Sequence, residues 1–187
     1  MDKQLSDEEI AKAVQQGDVE LFGVLIERFE QKMMRYARKF LFGYEDAEDM
    51  VQIIFLKAFT NIKSFDTGRS FSSWIYRIAH NEFINAIKKK KREPLSLFSF
   101  DSVFPHPAAK EETDKNIKQK ETIEEIEKYL GKLEPKYREP LVLFYIEELS
   151  YKEISDIMKI PTATVGVRIR RAKQKIKDIH NKEEKYD

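Results

Sequence analysis

Apolar residues recur at three- and four-residue steps along most of this chain, and the main interruption is residues 94–121. A period near 3.6 dictates amphipathic helices. The interruption holds Pro94, Pro105 and Pro107, several Ser and charged residues, and little periodicity. It is too long for an ordinary connection within one compact domain. The expectation is an all-α protein of two small helical domains, residues 1–93 and 122–187, joined by a flexible linker over 94–121. Phe98, Phe100 and Phe104 are unusual in a solvated tether; they either pack back on a domain or fill a partner's groove.

At 187 residues, 41% of them hydrophobic and with 13 Phe, the chain can supply a core for each half. The absence of Cys excludes disulfides, thiol chemistry and cysteine metal sites. Three His without paired spacing make a metal or cofactor site unexpected. No apolar run reaches the roughly 18–20 residues of a membrane span, and the acidic start MDKQLSDEEIAK is unlike a signal peptide. A soluble, cytoplasmic protein without membrane insertion is expected. Its net charge is only +1, but the charges are clustered.

Ser6 and Glu9 have capping-box spacing and start a first helix that breaks at Gln16-Gly-Asp18. A long helix is expected from about Val19 to Phe42, a third from about Asp46 to Ile62, and a fourth from about Ser70 to Arg92. The segment from Lys63 to Arg69, with Asp66-Thr-Gly68, reads as a loop. Beyond the linker, Pro135 and Pro140 mark helix boundaries and Leu141–Ile146 reads as buried.

Residues 150–177 carry the strongest local signal. Ser150 and Glu153 form a second capping box, Tyr151, Ile154, Ile157 and Met158 an apolar stripe, and Ile160-Pro161 a break. Thr162 then begins a helix whose buried side is Val165, Ile169, Ala172 and Ile176. Two short helices around a tight turn make a helix-turn-helix. No acid occurs from Thr162 through Lys177, and Thr164, Arg168, Arg171 and Lys175 share one face. Arg reads guanine bidentately and Lys neutralises phosphate, so this helix suits a DNA major groove.

The fourth helix has a different polar side. Trp74, Arg77, Asn81, Asn85, Lys88 and Arg92 fall within a sector roughly 80° wide, opposite Ile75, Tyr76, Ala79, Phe83, Ala86 and Ile87. Asn and Arg offer hydrogen bonds to base edges, and an exposed aromatic stacks on an unstacked base. The preceding loop adds Phe65, Arg69 and Phe71. Trp74 either meets a base or caps the core. On the third helix, Ala47, Met50, Val51, Ile54 and Ala58 form the buried stripe, leaving Asp49, Gln52 and Leu56 together on the far side, with Phe59 nearby. DNA avoids an acidic helix, so this face suits a protein partner.

Four ordered segments, DAEDMVQIIFLKAF, FDTGRSFSSWIYRIAHNEFINAIKKKKR, LEPKYREPLVLFYIEELSYKEISDI and IPTATVGVRIRRAKQKI, resemble the extracytoplasmic-function (group IV) bacterial sigma factors. The resemblance implies that Asp46, Asp49, Gln52 and Leu56 dock on the clamp helices of the core RNA polymerase β′ subunit, with the β subunit a further partner. It implies that Phe65, Arg69, Phe71, Trp74, Arg77, Asn81, Asn85 and Lys88 recognise and melt the −10 promoter element, an unstacked base entering a pocket made largely by residues 64–71. Thr164, Arg168, Arg171 and Lys175 would read the −35 element as duplex. The linker would thread through the polymerase. An anti-sigma factor, often membrane-associated, would hold the protein inactive. Catalysis would belong to the polymerase, with no cofactor here.

The chain departs from the family pattern at four places. An Asp is usual near Asn85, Ala where Ser155 stands, Gly where Lys159 stands, and Lys-Ser where Gly166-Val167 stands. A left-handed Lys159 would cost of order 1 kcal/mol. A competing reading is a helix-turn-helix repressor or activator acting without polymerase, a class that usually dimerises on a two-fold site. Two others are a protein adaptor and a nucleic-acid enzyme using Asp46 and Asp49 with Mg²⁺, though no convincing acid cluster supports the latter.

Overall fold

The computed structural model describes residues 5–41, 47–92 and 126–183, and among them every regular element is helical. Helix α1 spans Asp7–Gln15, α2 Phe22–Phe40, α3 Ala47–Asn61 and α4 Phe71–Arg92. The second domain follows with a helical turn over 126–129, α5 at Pro135–Leu141, α6 at Tyr151–Met158 and α7 at Thr162–Glu183. Asp46, the linker with Phe98, Phe100 and Phe104, and the side chain of Arg92 lie outside the described residues.

Both expected capping boxes form. Ser6 Oγ accepts from Glu9 N–H at 3.1 Å, and Glu9 accepts from Ser6 N–H at 2.8 Å. Ser150 and Glu153 repeat the exchange. The second helix begins later than its apolar pattern predicts. Val19–Leu21 tightens into a 3-10 turn after Gly17, whose φ of +113° suits a residue without Cβ. Leu25, Phe29, Met33, Tyr36, Ala37 and Phe40 then bury one stripe of α2, as expected, while Leu21, Val24 and Ile26 are half-buried.

Aromatic rings fill the first domain's core. Phe83 stands edge-on to Tyr36 at 5.0 Å and lies 6.2 Å from Phe40; Phe29 meets Phe71 at 5.4 Å. Such pairs add about 0.5–1.5 kcal/mol each beyond their buried area. Helix α1 braces the loop between α3 and α4. Gln15 Nε2 donates to the carbonyls of Ile62 and Phe65 at 2.8 and 2.7 Å, and Phe71 N–H donates to Glu8 at 2.9 Å. The last bond satisfies a free N–H at the start of α4.

Pro140 does not end its helix as expected. It lies inside α5, and its missing N–H falls just before the ladder widens into a π-turn at Val142–Ile146. Lys159 takes the left-handed conformation, φ 54° and ψ 45°, between α6 and α7. Ser155 offsets part of that cost, its Oγ donating to the Ile160 carbonyl at 2.6 Å. Lys159→Gly is therefore expected to stabilise the protein by about 1 kcal/mol. A calorimetric scan should show a rise of about 2–4 °C in Tm; no rise would mean that the turn carries no strain.

The two domains touch, and their buried apolar residues form one continuous cluster. Polar bonds lie at the junction. Arg35 Nε and Nη2 donate to the two oxygens of Glu147, both at 2.8 Å, and Tyr76 Oη donates to Glu147 at 2.5 Å. Tyr36 Oη donates to Glu139 at 2.6 Å, and His80 Nδ1 lies 2.5 Å from the same oxygen. Burial, reinforced by the Glu139 and Glu147 carboxylates, holds the phenols of Tyr36 and Tyr76 well above the usual tyrosine range.

Candidate nucleic-acid and protein-docking faces

Where α3 meets α4, a cavity of about 350 Å³ opens to solvent. Trp74, Arg77, Ile78, Asn81 and Glu82 line it from α4; Lys57, Asn61 and Ser64 line it from α3 and the turn after it. Trp74 is half-buried, with Phe65 behind it at 5.0 Å and Phe71 at 5.5 Å. Both readings of Trp74 therefore meet in one side chain, which caps an aromatic cluster and also lines an open cavity. Arg77, Asn81, Asn85 and Lys88 are exposed in sequence along the same side of α4.

Two expected contact residues are corrected here. Phe71 is fully buried and Phe65 only 5% exposed, so neither ring presents a face to DNA. Packing beneath Trp74 holds both inside and makes them its support. Arg69 stays on the surface, paired with Asp66 at 3.3 Å. Of the pocket expected from residues 64–71, only Ser64 lines this cavity, and the sequence reading missed Lys57, Asn61 and Glu82. Lys57 and Glu82 bridge the cavity wall at 2.7 Å, a pairing between two helices that no local spacing reveals.

On α7, Arg171 is exposed and Thr164, Arg168 and Lys175 are half-buried. Lys175 leans toward α5, 3.7 Å from Glu134 and over the Tyr137 ring at 5.2 Å. Hydrogen bonding from Lys136 holds the Glu134 carboxyl below the usual carboxylate range. An ionised Glu134 thus faces the Lys175 ammonium. Tyr151, expected in the apolar stripe, is exposed instead and packs on Phe144 at 5.0 Å. A Cβ at Gly166 would stand 3.3 Å from the Tyr151 ring. The glycine accommodates that ring, a physical reason for its place in this helix.

The third face is on α3. Asp49, Gln52 and Leu56 are all exposed, Leu56 by 63%. Phe59, expected nearby, is exposed beside them, and Ile53, which the sequence reading did not include, extends the apolar strip. Phe59 is anchored edge-on to Phe22 at 5.1 Å. The strip carries Glu48 and Asp49, both exposed, at one end.

An exposed apolar strip, a tryptophan-lined cavity with Arg and Asn beside it, and a helix-turn-helix on a second domain define a helical protein of transcription. The family model for sigma-70 region 2 matches residues 25–93, and that for sigma-70 region 4 matches residues 123–176. The chain belongs to the extracytoplasmic-function (ECF) RNA polymerase sigma factors. It is 36% identical over 181 residues to the ECF sigma factor SigW of Bacillus subtilis, covering 89% of this chain and 92% of that one. It is 31% identical over 182 residues to the sigma-E factor of Escherichia coli K12, covering 94% and 95%. The fold is that of CnrH, solved with the cytosolic domain of CnrY, at a TM-score of 0.68 and 24% identity over 94% of this chain and 97% of that one. RpoE of Bartonella quintana, solved with the anti-sigma factor NepR, gives 0.70 and 24% over 86% and 96%. Membership sets aside the stand-alone repressor. Among the described residues no helix is long and apolar enough to cross a membrane.

Proposed function

We propose that this sigma factor binds core RNA polymerase through α3, presenting Leu56, Gln52 and Asp49 to the β′ clamp helices, with further contacts to the β subunit. The family resemblance adds Asp46, next in sequence to Ala47, to this docking set. The cavity at Trp74 holds an unstacked base of the −10 element, with Arg77, Asn81, Asn85 and Lys88 along the strand and Arg69 at the loop. Arg171, Arg168, Thr164 and Lys175 engage the −35 duplex. The observation that carries this reading is the cavity itself: a supported indole beside Arg77 and Asn81, open to solvent. A base that enters it loses its stacking in the duplex and regains stacking on Trp74. The protein supplies binding energy in the cytoplasm, and the bond-making is the polymerase's.

An anti-sigma factor, membrane-associated, controls it by covering the α3 strip. The structure of RpoE with the anti-sigma factor NepR supports an anti-sigma partner.

The test is run-off transcription from a fragmented bacterial genome with sigma-free core polymerase. Discrete transcripts that require this protein are expected, and aligning their start sites gives both promoter elements. The absence of both transcripts and core binding would sink the proposal. Trp74→Ala should remove about 1–3 kcal/mol of base stacking, lowering open-complex formation about 5- to 150-fold while −35 duplex binding stays unchanged. Permanganate footprinting of promoter thymines reads the effect; full melting by the variant would take Trp74 out of the site.

A further inference from the structure

The cavity beside Trp74 contains one side chain that an ordinary DNA-binding surface does not need. Glu82 is the one carboxylate among the described residues that line it, and its side chain is only 16% exposed. DNA is a polyanion, so an acid at its contact surface lowers affinity unless its charge is offset and its lone pairs are used. Lys57 offsets the charge from α3, its Nζ 2.7 Å from Glu82 Oε1. Among the described residues no other donor meets this carboxylate. Lys57 itself is 48% exposed. A pair so open to water is a weak staple between two helices, which leaves the position of Glu82 without a structural reason.

The polar groups around the cavity differ in what they can tolerate. Arg77 and Lys57 carry only donors, whereas an Asn amide presents a donor or an acceptor by turning over. Asn81 is exposed and has that choice. Asn61 has used part of it, Nδ2 donating to the Lys57 carbonyl at 2.8 Å. Glu82 has no choice, because a carboxylate only accepts.

An unstacked base brings its hydrogen-bonding edges into such a site. Cytosine, adenine and guanine each carry an exocyclic amine that can donate to a carboxylate, as cytosine N4 does to Glu or Asp in duplex recognition. Thymine carries a carbonyl, O4, in place of the amine. Against Glu82 it would set one acceptor on another with no proton between them, leaving both unsatisfied.

We propose that Glu82 is a specificity-determining residue, which accepts from the exocyclic amine of the unstacked base and so excludes thymine from the cavity. The assignment rests on the base-binding reading of the cavity given above and adds to it the chemical class of base. Lys57 is a positioning residue: it holds the carboxylate and keeps the cavity from repelling phosphate.

The test uses core polymerase loaded with this protein on a promoter found by run-off transcription. Abasic sites placed singly through the melted segment locate the cavity base, as the site that lowers transcription by the parent but not by Trp74→Ala. At that position the parent should use its preferred amine-bearing base roughly tenfold better than thymine. It should show a similar preference over the same base without its amine: 2-pyrimidinone for cytosine, purine for adenine, hypoxanthine for guanine. Glu82→Gln, whose amide also donates to O4, should raise use of the thymine template roughly fivefold. Equal use of thymine, or of the amine-free base, by the parent overturns the proposal and leaves the base-binding cavity standing; this comparison needs no variant. A folded Glu82→Gln protein that still rejects thymine also overturns it. A lower Tm with unchanged base preference would reduce the Lys57–Glu82 pair to a link between helices. If no abasic position depends on Trp74, the cavity holds no base, and the reading beneath the proposal falls with it.

Discussion

Leu56→Asp is expected to lower affinity for core polymerase by well over tenfold with no change in Tm. Leu56 is 63% exposed and lies outside the apolar core, so the fold loses nothing when it is replaced. In a complex it would sit between Ile53 and Phe59, at the centre of the strip. Truncating such an anchor typically costs 2 kcal/mol or more, and a carboxylate in its place must also be desolvated against an apolar surface. Fluorescence titration of labelled protein with core polymerase measures the change. Lys12→Asp, exposed on α1, is the control and should bind normally. A folded Leu56→Asp protein that binds like the parent would remove α3 from the interface.

Phe83→Ala is expected to have the largest effect on stability, a loss of about 3–5 kcal/mol. Phe83 is fully buried, edge-on to Tyr36 and close to Phe40, so it ties α4 to α2. Removing the ring opens a cavity against Tyr36, the residue that also donates to Glu139 in the other domain. Against a typical total of 5–15 kcal/mol, most of the stability of a marginal protein would go. Urea unfolding followed by circular dichroism gives the number. A loss below about 1 kcal/mol would mean that the aromatic cluster repacks freely.

The helices and the helix-turn-helix were legible because their signals are local. Ser6 with Glu9, and Ser150 with Glu153, announce helix starts within one turn of chain. The stripe Val165, Ile169, Ala172, Ile176 announces a buried side by spacing alone. The polar side of α4 followed from the same arithmetic, and the exposed Arg77, Asn81, Asn85 and Lys88 agree with it. What spacing does not carry is contact between elements. Phe65 and Phe71 precede a polar helix face and read as part of it, yet they are packed beneath Trp74. Glu82 and Lys57 sit on different helices and find each other only in three dimensions. The domain junction was wholly hidden. Glu139 and Glu147 look like surface acids in a charged sequence, and their burial involves tyrosines 103 and 71 residues away.

The brace from α1 bears on how this protein can change over generations. Gln15 holds the loop between α3 and α4 by two main-chain carbonyls, those of Ile62 and Phe65. Main-chain oxygens are the same whatever side chains the loop carries. Substitutions at exposed loop positions such as Lys63, Asp66 and Arg69 therefore alter what the loop presents without loosening that hold. On the promoter-binding reading proposed above, a lineage can drift in the DNA sequences it prefers one loop residue at a time, while the scaffold beneath inherits no burden of compensation.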